Sequence, residues 1–139
     1  MQAPEIIRAK TNEFFRLHWP KTETEEAPVW ESWDPFLRTP IPNYDKPGCY
    51  ALVAGDTVDY VGLAISKGWG AYKKNGISIR LYGHVLLVDK SKDSTYMLRE
   101  KWRHITGICT IPFPDKYIYL APALERFLIT KLEPGSNHR

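Results

Sequence analysis

The sequence predicts an α+β domain, in which a small three-stranded antiparallel sheet is flanked by helices and preceded by an N-terminal helix and an extended arm. Three observations lead there. Apolar residues recur at helical spacing over residues 4–18 and 122–132, GCYALVAGDTVDYVG at 48–62 reads as a hairpin, and KYIYL at 116–120 reads as a buried strand. With 139 residues the chain fits one domain whose core needs no disulfide or metal staple. Its 43% hydrophobic and 25% charged residues are those of a globular protein and not of a disordered one.

The N-terminal helix is expected over 4–18, where Ile6, Ile7, Phe14, Phe15 and Leu17 share a face and Pro4 suits the first turn. Trp19-Pro20 ends it, because a residue before proline avoids the α region. Six prolines between 20 and 47 then mark an extended arm. Trp30, Trp33 and Phe36 within it call for a surface to pack on. The arm and first helix therefore form a leading unit, 1–46, and the remaining elements a core domain, 47–139.

Two registers suit the hairpin. A two-residue loop, Gly55-Asp56, pairs Leu52 with Asp59 and puts Tyr50 and Tyr60 on opposite faces. A three-residue loop, Ala54-Gly55-Asp56, pairs Leu52 with Val58 and Tyr50 with Tyr60, and gives one consistent apolar face. The second register is expected, with both phenols together at the end opposite the turn. A Gly-punctuated loop follows, LAISKGWGAYKKNG at 63–76, with Lys67, Lys73 and Lys74. Residues 77–90 are expected as a helix with Ile77, Leu81, Val85 and Val88 on one face. Arg80 and His84 lie one turn apart on its edge. Gly83 inside this helix costs about 1 kcal/mol against alanine, so it marks either a close neighbour or a weaker helix. Residues 93–113 are ambiguous: MLREKWRHI suits a helix and GICTIPF a short strand. The last helix is expected over 122–132, with Pro122 in its first turn and Glu133-Pro134 stopping it.

Charge and cysteine content narrow the function classes. Residues 63–104 carry nine Lys and Arg against three Asp and Glu, whereas the rest of the chain is net negative. A basic middle of this kind suits a polyanionic partner. Cys49 and Cys109 have no zinc-like spacing and are expected as free thiols in a reducing cytosol. No apolar run reaches the roughly 18 residues that span a bilayer, and MQAPEIIRAK lacks a secretory apolar segment. A cytoplasmic protein is the expectation. His104 has no partner in the sequence pattern and is expected on the surface.

The order of these pieces resembles the GIY-YIG nuclease family. The matching elements are GCY at 48–50, YVG at 60–62, Arg80 in the next helix, Glu125 in the last, and LEPGSN at 132–137. The resemblance covers 47–137, and the R-x-x-x-H spacing with a lysine-bearing loop is most like the type II restriction endonucleases. It implies a metal-dependent DNA endonuclease in a restriction, phage-defence or mobile-element setting, using Mg2+ or Mn2+. Tyr50 would be the general base with Tyr60 supporting it, and His84 would join them. Arg80 would grip phosphate oxygens, Glu125 would hold one divalent metal, and Asn137 would keep the site in shape. Lys67, Lys73 and Lys74 would contact nucleic acid. Hydrolysis of a phosphodiester needs these types: a base for the water, a fixed cation at the phosphate, and a carboxylate for a Lewis acid. A phenol has an ordinary pKa of about 10, so nearby cations are expected to lower it.

Two departures accompany the resemblance. Leu63 stands where relatives often carry lysine, with Lys67 as a replacement, and Cys49 stands for isoleucine. The sequence runs only two residues past the Asn137 motif, so the arm and the 63–76 loop are expected to grip DNA, and cutting both strands would need a homodimer or sequential nicks. The competing expectation is a catalytically inactive module that keeps the fold and binds nucleic acid or a partner.

Overall fold

The computed structural model describes residues 2–34, 40–65, 76–89 and 95–137. These form three α-helices and six strands: α1 (Ala3–His18), β1 (Glu31–Trp33), β2 (Gly48–Ala54), β3 (Thr57–Ala64), α2 (Ile77–His84), β4 (Leu86–Asp89), β5 (Thr95–Leu98), β6 (Gly107–Pro112) and α3 (Leu120–Leu132). The α+β class holds. The main sheet has four antiparallel strands in the order β1-β6-β2-β3, and β4 and β5 make a separate two-stranded ribbon.

The sheet divides the core. On one face Cys49, Ala51, Val61, Cys109 and Ile111 meet α1 and α3 through Ile7, Phe14, Phe15, Leu124 and Leu128. On the other, Tyr50, Leu52 and Ile108 meet α2 through Ile77 and Leu81, together with Trp33 and Trp102. Strict alternation along each strand sorts these side chains. Cys49 and Cys109 are both free and buried. No helix among the described residues is long and apolar enough to cross a membrane.

The first and last helices lie where the periodicity puts them. In α1, Ile7, Thr11, Phe14 and Phe15 are buried, and Pro sits in the opening turn. In α3, Pro122 again falls in the opening turn, where no intrahelical N–H is needed.

Four expectations are corrected. The hairpin takes neither proposed register. It turns through Gly55-Asp56, pairs Ala54 with Thr57 and Val53 with Val58, and then takes up Asp59 as an extra residue, so that Leu52 faces Tyr60 and Tyr50 faces Gly62. Gly55 at φ +63° makes the tight two-residue turn possible. Tyr50 and Tyr60 still share a face, but diagonally, and the bulge is what puts them there. Second, the helix expected over 77–90 stops at His84, and 86–89 pairs with 95–98. A Cβ at Gly83 would meet nothing within 4 Å, so that glycine weakens the helix next to its end without serving a close contact. Third, residues 93–113 hold β5, a single 3-10 turn at Glu100–Trp102, and β6; the helical reading of MLREKWRHI fails and the strand in GICTIP stands. Fourth, KYIYL is not a strand: a 3-10 turn at Asp115–Tyr117 leads directly into α3. β6 takes the central place in the sheet instead, and β1 from the arm adds the fourth strand.

The arm is built into this architecture. Glu31, Ser32 and Trp33 pair with Thr110, Cys109 and Ile108. Trp30 is 3% exposed, and its indole N–H donates to Thr11 Oγ1 of α1 at 2.7 Å. Trp33 is buried on the opposite face, and Phe36 lies outside the described residues. Farther along the arm, the carbonyls of Tyr44 and Lys46 accept from the N–H groups of Ser78 and Ile77, both at 3.0 Å. Those are orphan donors at the start of α2. Its other end is held by Arg99 Nη2 donating to Tyr82 O at 2.6 Å and by Trp102 Nε1 donating to His84 O at 3.0 Å. A helix of eight residues is too short to persist alone, so α2 exists because remote segments hold both ends.

Replacing Thr11 with valine keeps the shape but strands the buried Trp30 N–H. A loss of about 1–3 kcal/mol in chemical denaturation is expected, against a near-neutral effect for Thr11→Ser.

Candidate active site

Tyr50 projects from β2 and is 2% exposed. Its Oη and His84 Nδ1 share a hydrogen bond of 2.9 Å, whose direction follows the imidazole tautomer. The Tyr60 ring, from the neighbouring strand, lies 6.1 Å from that of Tyr50 and 5.2 Å from His84. Gly62, directly opposite Tyr50, explains the glycine of the second triplet. A Cβ there would sit 2.3 Å from Tyr50 Cζ, so the phenol lies flat across β3 only because residue 62 has no side chain.

α2 supplies the next two groups. His84 ends the helix, with its ring 5.1 Å from that of Trp102, which also lies 5.3 Å from Tyr60. Arg80, one turn earlier and exposed, donates from Nε to the carbonyl of Leu63 at 3.0 Å, leaving its terminal nitrogens at the cleft. From the other side of the sheet, α3 brings half-buried Glu125. Tyr50, Tyr60, Arg80, His84 and Glu125 thus line one open cleft of about 750 Å3, with Leu63, Ile65 and Ile79 as its apolar wall.

Asn137 does not line this cleft. Its Oδ1 accepts from Val61 N at 2.7 Å and its Nδ2 donates to Val61 O at 2.9 Å, so the amide mimics a neighbouring strand. Ser136 adds a backbone bond to Asp59 O at 2.9 Å and a hydroxyl bond to Asp59 Oδ2 at 2.8 Å. The residues on both sides of Tyr60 are therefore pinned by the turn after α3. Lys67, Lys73 and Lys74 lie outside the described residues.

The electrostatics correct one expectation. Burial is the main influence on the Tyr50 phenol and pushes it well above its ordinary pKa, with Tyr60 adding to the shift and Arg80 only partly opposing it. Tyr60 is raised by burial and by Glu125. With the chain's own groups alone, both phenols keep their protons. His84 is pushed down by burial and then by Lys101, Arg80 and Arg99, so its ring is neutral at neutral pH. Glu125 is raised by burial, and Arg80 pulls against that. Burial outweighs Arg80 at both phenols and at Glu125, and acts with the cations at His84, which charge spacing along a sequence does not reveal.

Three residues at or beside the site had no signal in the sequence. Trp102, which backs both His84 and Tyr60, sits in the stretch where helix and strand patterns overlapped. Lys101 lies beside it, with Nζ 5.0 Å from the indole centroid. His104 is half exposed but not partnerless: its Nε2 lies 3.1 Å from Asp59 Oδ2, and the 45-residue separation hid that pairing.

The donor set bears on the metal. Among the described residues no group of three or more His, Cys, Asp or Glu converges, and Glu125 is the only acid lining the cleft. Mg2+ keeps several of its waters and takes one or two carboxylates plus substrate phosphate, so a single carboxylate facing open space fits it. A dedicated all-protein cage, as for structural zinc, does not fit. No family model, no curated protein and no solved structure matches the chain.

Two outcomes follow from the geometry. Gly62→Ala displaces the Tyr50 ring, and the His84 ring-nitrogen resonances are expected to lose the signature of the Tyr50 hydrogen bond while the fold persists. Glu125→Gln is expected to raise the thermal midpoint at pH 7. The raised pKa means that the folded state resists ionisation, so the destabilising contribution is absent below the unfolded value near 4.3 and grows as pH rises through the folded one. The advantage of the glutamine variant should therefore shrink to nothing in acid.

Proposed function

We propose that the chain is a Mg2+- or Mn2+-dependent DNA endonuclease of the GIY-YIG type that hydrolyses phosphodiester bonds. The observation that carries this reading is the convergence of Tyr50, Tyr60, Arg80, His84 and Glu125 on one cleft from four separate elements. Nothing in packing alone requires two phenols, an imidazole, a guanidinium and a half-buried carboxylate to meet there.

In this reading a scissile phosphate enters beside Arg80, whose Nε is already engaged and whose terminal nitrogens form charge-assisted bonds to phosphate oxygens. Glu125 holds the divalent cation, which when bound supplies Lewis acidity at the phosphate and positive charge that favours phenolate. Tyr50 first passes its own proton to Nδ1 of the neutral His84, 2.9 Å away, and as the phenolate then takes the proton of the attacking water, with Tyr60 packing beside it. Asn137 and Ser136 act as positioning residues by holding β3 on both sides of Tyr60. Leu63 contributes its carbonyl to orient Arg80, so a lysine there is not needed for that task. One cleft per chain cuts one strand, and double-strand cleavage proceeds through a homodimer or two successive nicks. A restriction, phage-defence or mobile-element role in the cytoplasm accords with such an activity.

Plasmid nicking tests the reading. Wild type should relax supercoiled DNA with Mg2+ and not with a chelator. Tyr50→Phe, Arg80→Ala and Glu125→Gln should each lose about 10²-fold or more in rate. Folded wild type that cuts neither duplex, single-stranded DNA nor RNA would replace the enzyme with a binding module.

A further inference from the structure

We propose that Lys101 forms a second phosphate subsite on the Trp102 side of the cleft and grips the backbone phosphate next to the one being cut. This rests on the nuclease reading and gives the bound strand a direction.

Lys101 follows the opening residue of the 3-10 turn that carries Trp102, and its ammonium lies over the indole ring. That indole touches both His84 and Tyr60, so the lysine is one aromatic ring away from the reacting groups. Its charge, with those of Arg80 and Arg99, acts on His84. Three cations thus face one imidazole, and no carboxylate is among the groups acting on that ring.

Pairing sets Lys101 apart from Lys10 and Lys116, and its place beside the ring that backs His84 and Tyr60 sets it apart from Lys131, which lies over Phe127. Lys10 is bound to Glu13 and Lys116 to Glu23, which accounts for those two as surface ion pairs. Lys101 is exposed and has no carboxylate partner among the described residues. Its ammonium lies over an aromatic face, which holds the head group in place without neutralising it. A held, unpaired cation beside a cleft is suited to an anion arriving from outside.

The opposite flank supplies the contrast. A neighbouring groove shares Ile65 and Gly76 with the cleft, and among the described residues its charged lining is net negative, with Glu25, Glu26, Glu31, Asp45 and Asp115 against Lys46. A polyanion is repelled there and attracted toward Lys101. Phosphate contacts of this kind fix the register of the nucleic acid and carry no base specificity.

Binding is measured by fluorescence anisotropy with a labelled short DNA duplex in chelator, where nothing is cut, and cleavage separately with Mg2+. Lys101→Gln, which removes the charge and keeps a polar side chain, should weaken binding several-fold and lower the salt-dependence slope by about 0.9. In cleavage it should raise KM and leave kcat nearly unchanged. Lys101→Arg should restore both, and Lys116→Gln should change neither. Wild-type affinity and slope in Lys101→Gln would overturn the subsite and leave the nuclease standing. So would a fall in kcat together with the thermal midpoint, since that marks a packing role for the lysine. Wild type that neither binds nor cleaves any nucleic acid would overturn both.

Discussion

The structure depends on how the outer edge of β3 is closed. An edge strand leaves a row of unpaired backbone groups, which invites pairing with other chains. Here the row is taken up within the chain: Asp59 O by Ser136 N, both polar groups of Val61 by the Asn137 amide, and Leu63 O by Arg80 Nε. The same contacts that protect the edge hold Tyr60 between two pinned neighbours, draw the end of α3 against the sheet, and aim the guanidinium of α2. Edge protection and assembly of the cleft are one set of hydrogen bonds. Asn137 acts through backbone geometry, which is why it matters to the site without lining it.

The cleft sets ionisable groups in surroundings that disfavour their charge. Tyr50 and Glu125 are driven toward their neutral forms chiefly by burial, and so is His84. Of the three, Glu125 opposes the stability of the free protein at neutral pH, because the unfolded chain ionises it freely, whereas the phenol is neutral there in either state. In the proposed reading a divalent cation would reverse the balance at Glu125, and an anionic ligand would answer the charge of Arg80. That is the condition in which clustered, perturbed groups serve chemistry better than folding.

Local signals in the sequence were sufficient wherever one physical cause dominated. α1 and α3 announce themselves by period and by proline at the opening turn, and the tyrosines by their glycines. The hairpin register was not legible, because the bulge at Asp59 is stabilised by Ser136, 77 residues away. The end of α2 was obscured because Ile77, Leu81, Val85 and Val88 satisfy a helical face whether or not the chain stays helical. KYIYL has the composition of a strand, yet Pro122 commits the adjoining residues to a helix start. Tyr117 is buried by the turn and Tyr119 is 63% exposed. Of the candidate site, Tyr50, Tyr60, Arg80, His84 and Glu125, which meet at one cleft, could be picked out in the sequence, but Trp102 and Lys101 could not. Their relevance is created by the sheet and not by any pattern along the chain.

The pairing of the arm's carbonyls with the first N–H groups of α2 has a kinetic consequence. Neither that helix nor its Arg80 and His84 has local contacts enough to form early, and β1 must find β6 across more than seventy residues. Contacts of such long sequence separation are slow to close and reward the chain only late in folding. The cleft is therefore among the last parts of the molecule to organise. Forms of the chain in which these pairings are not yet made have no assembled cleft.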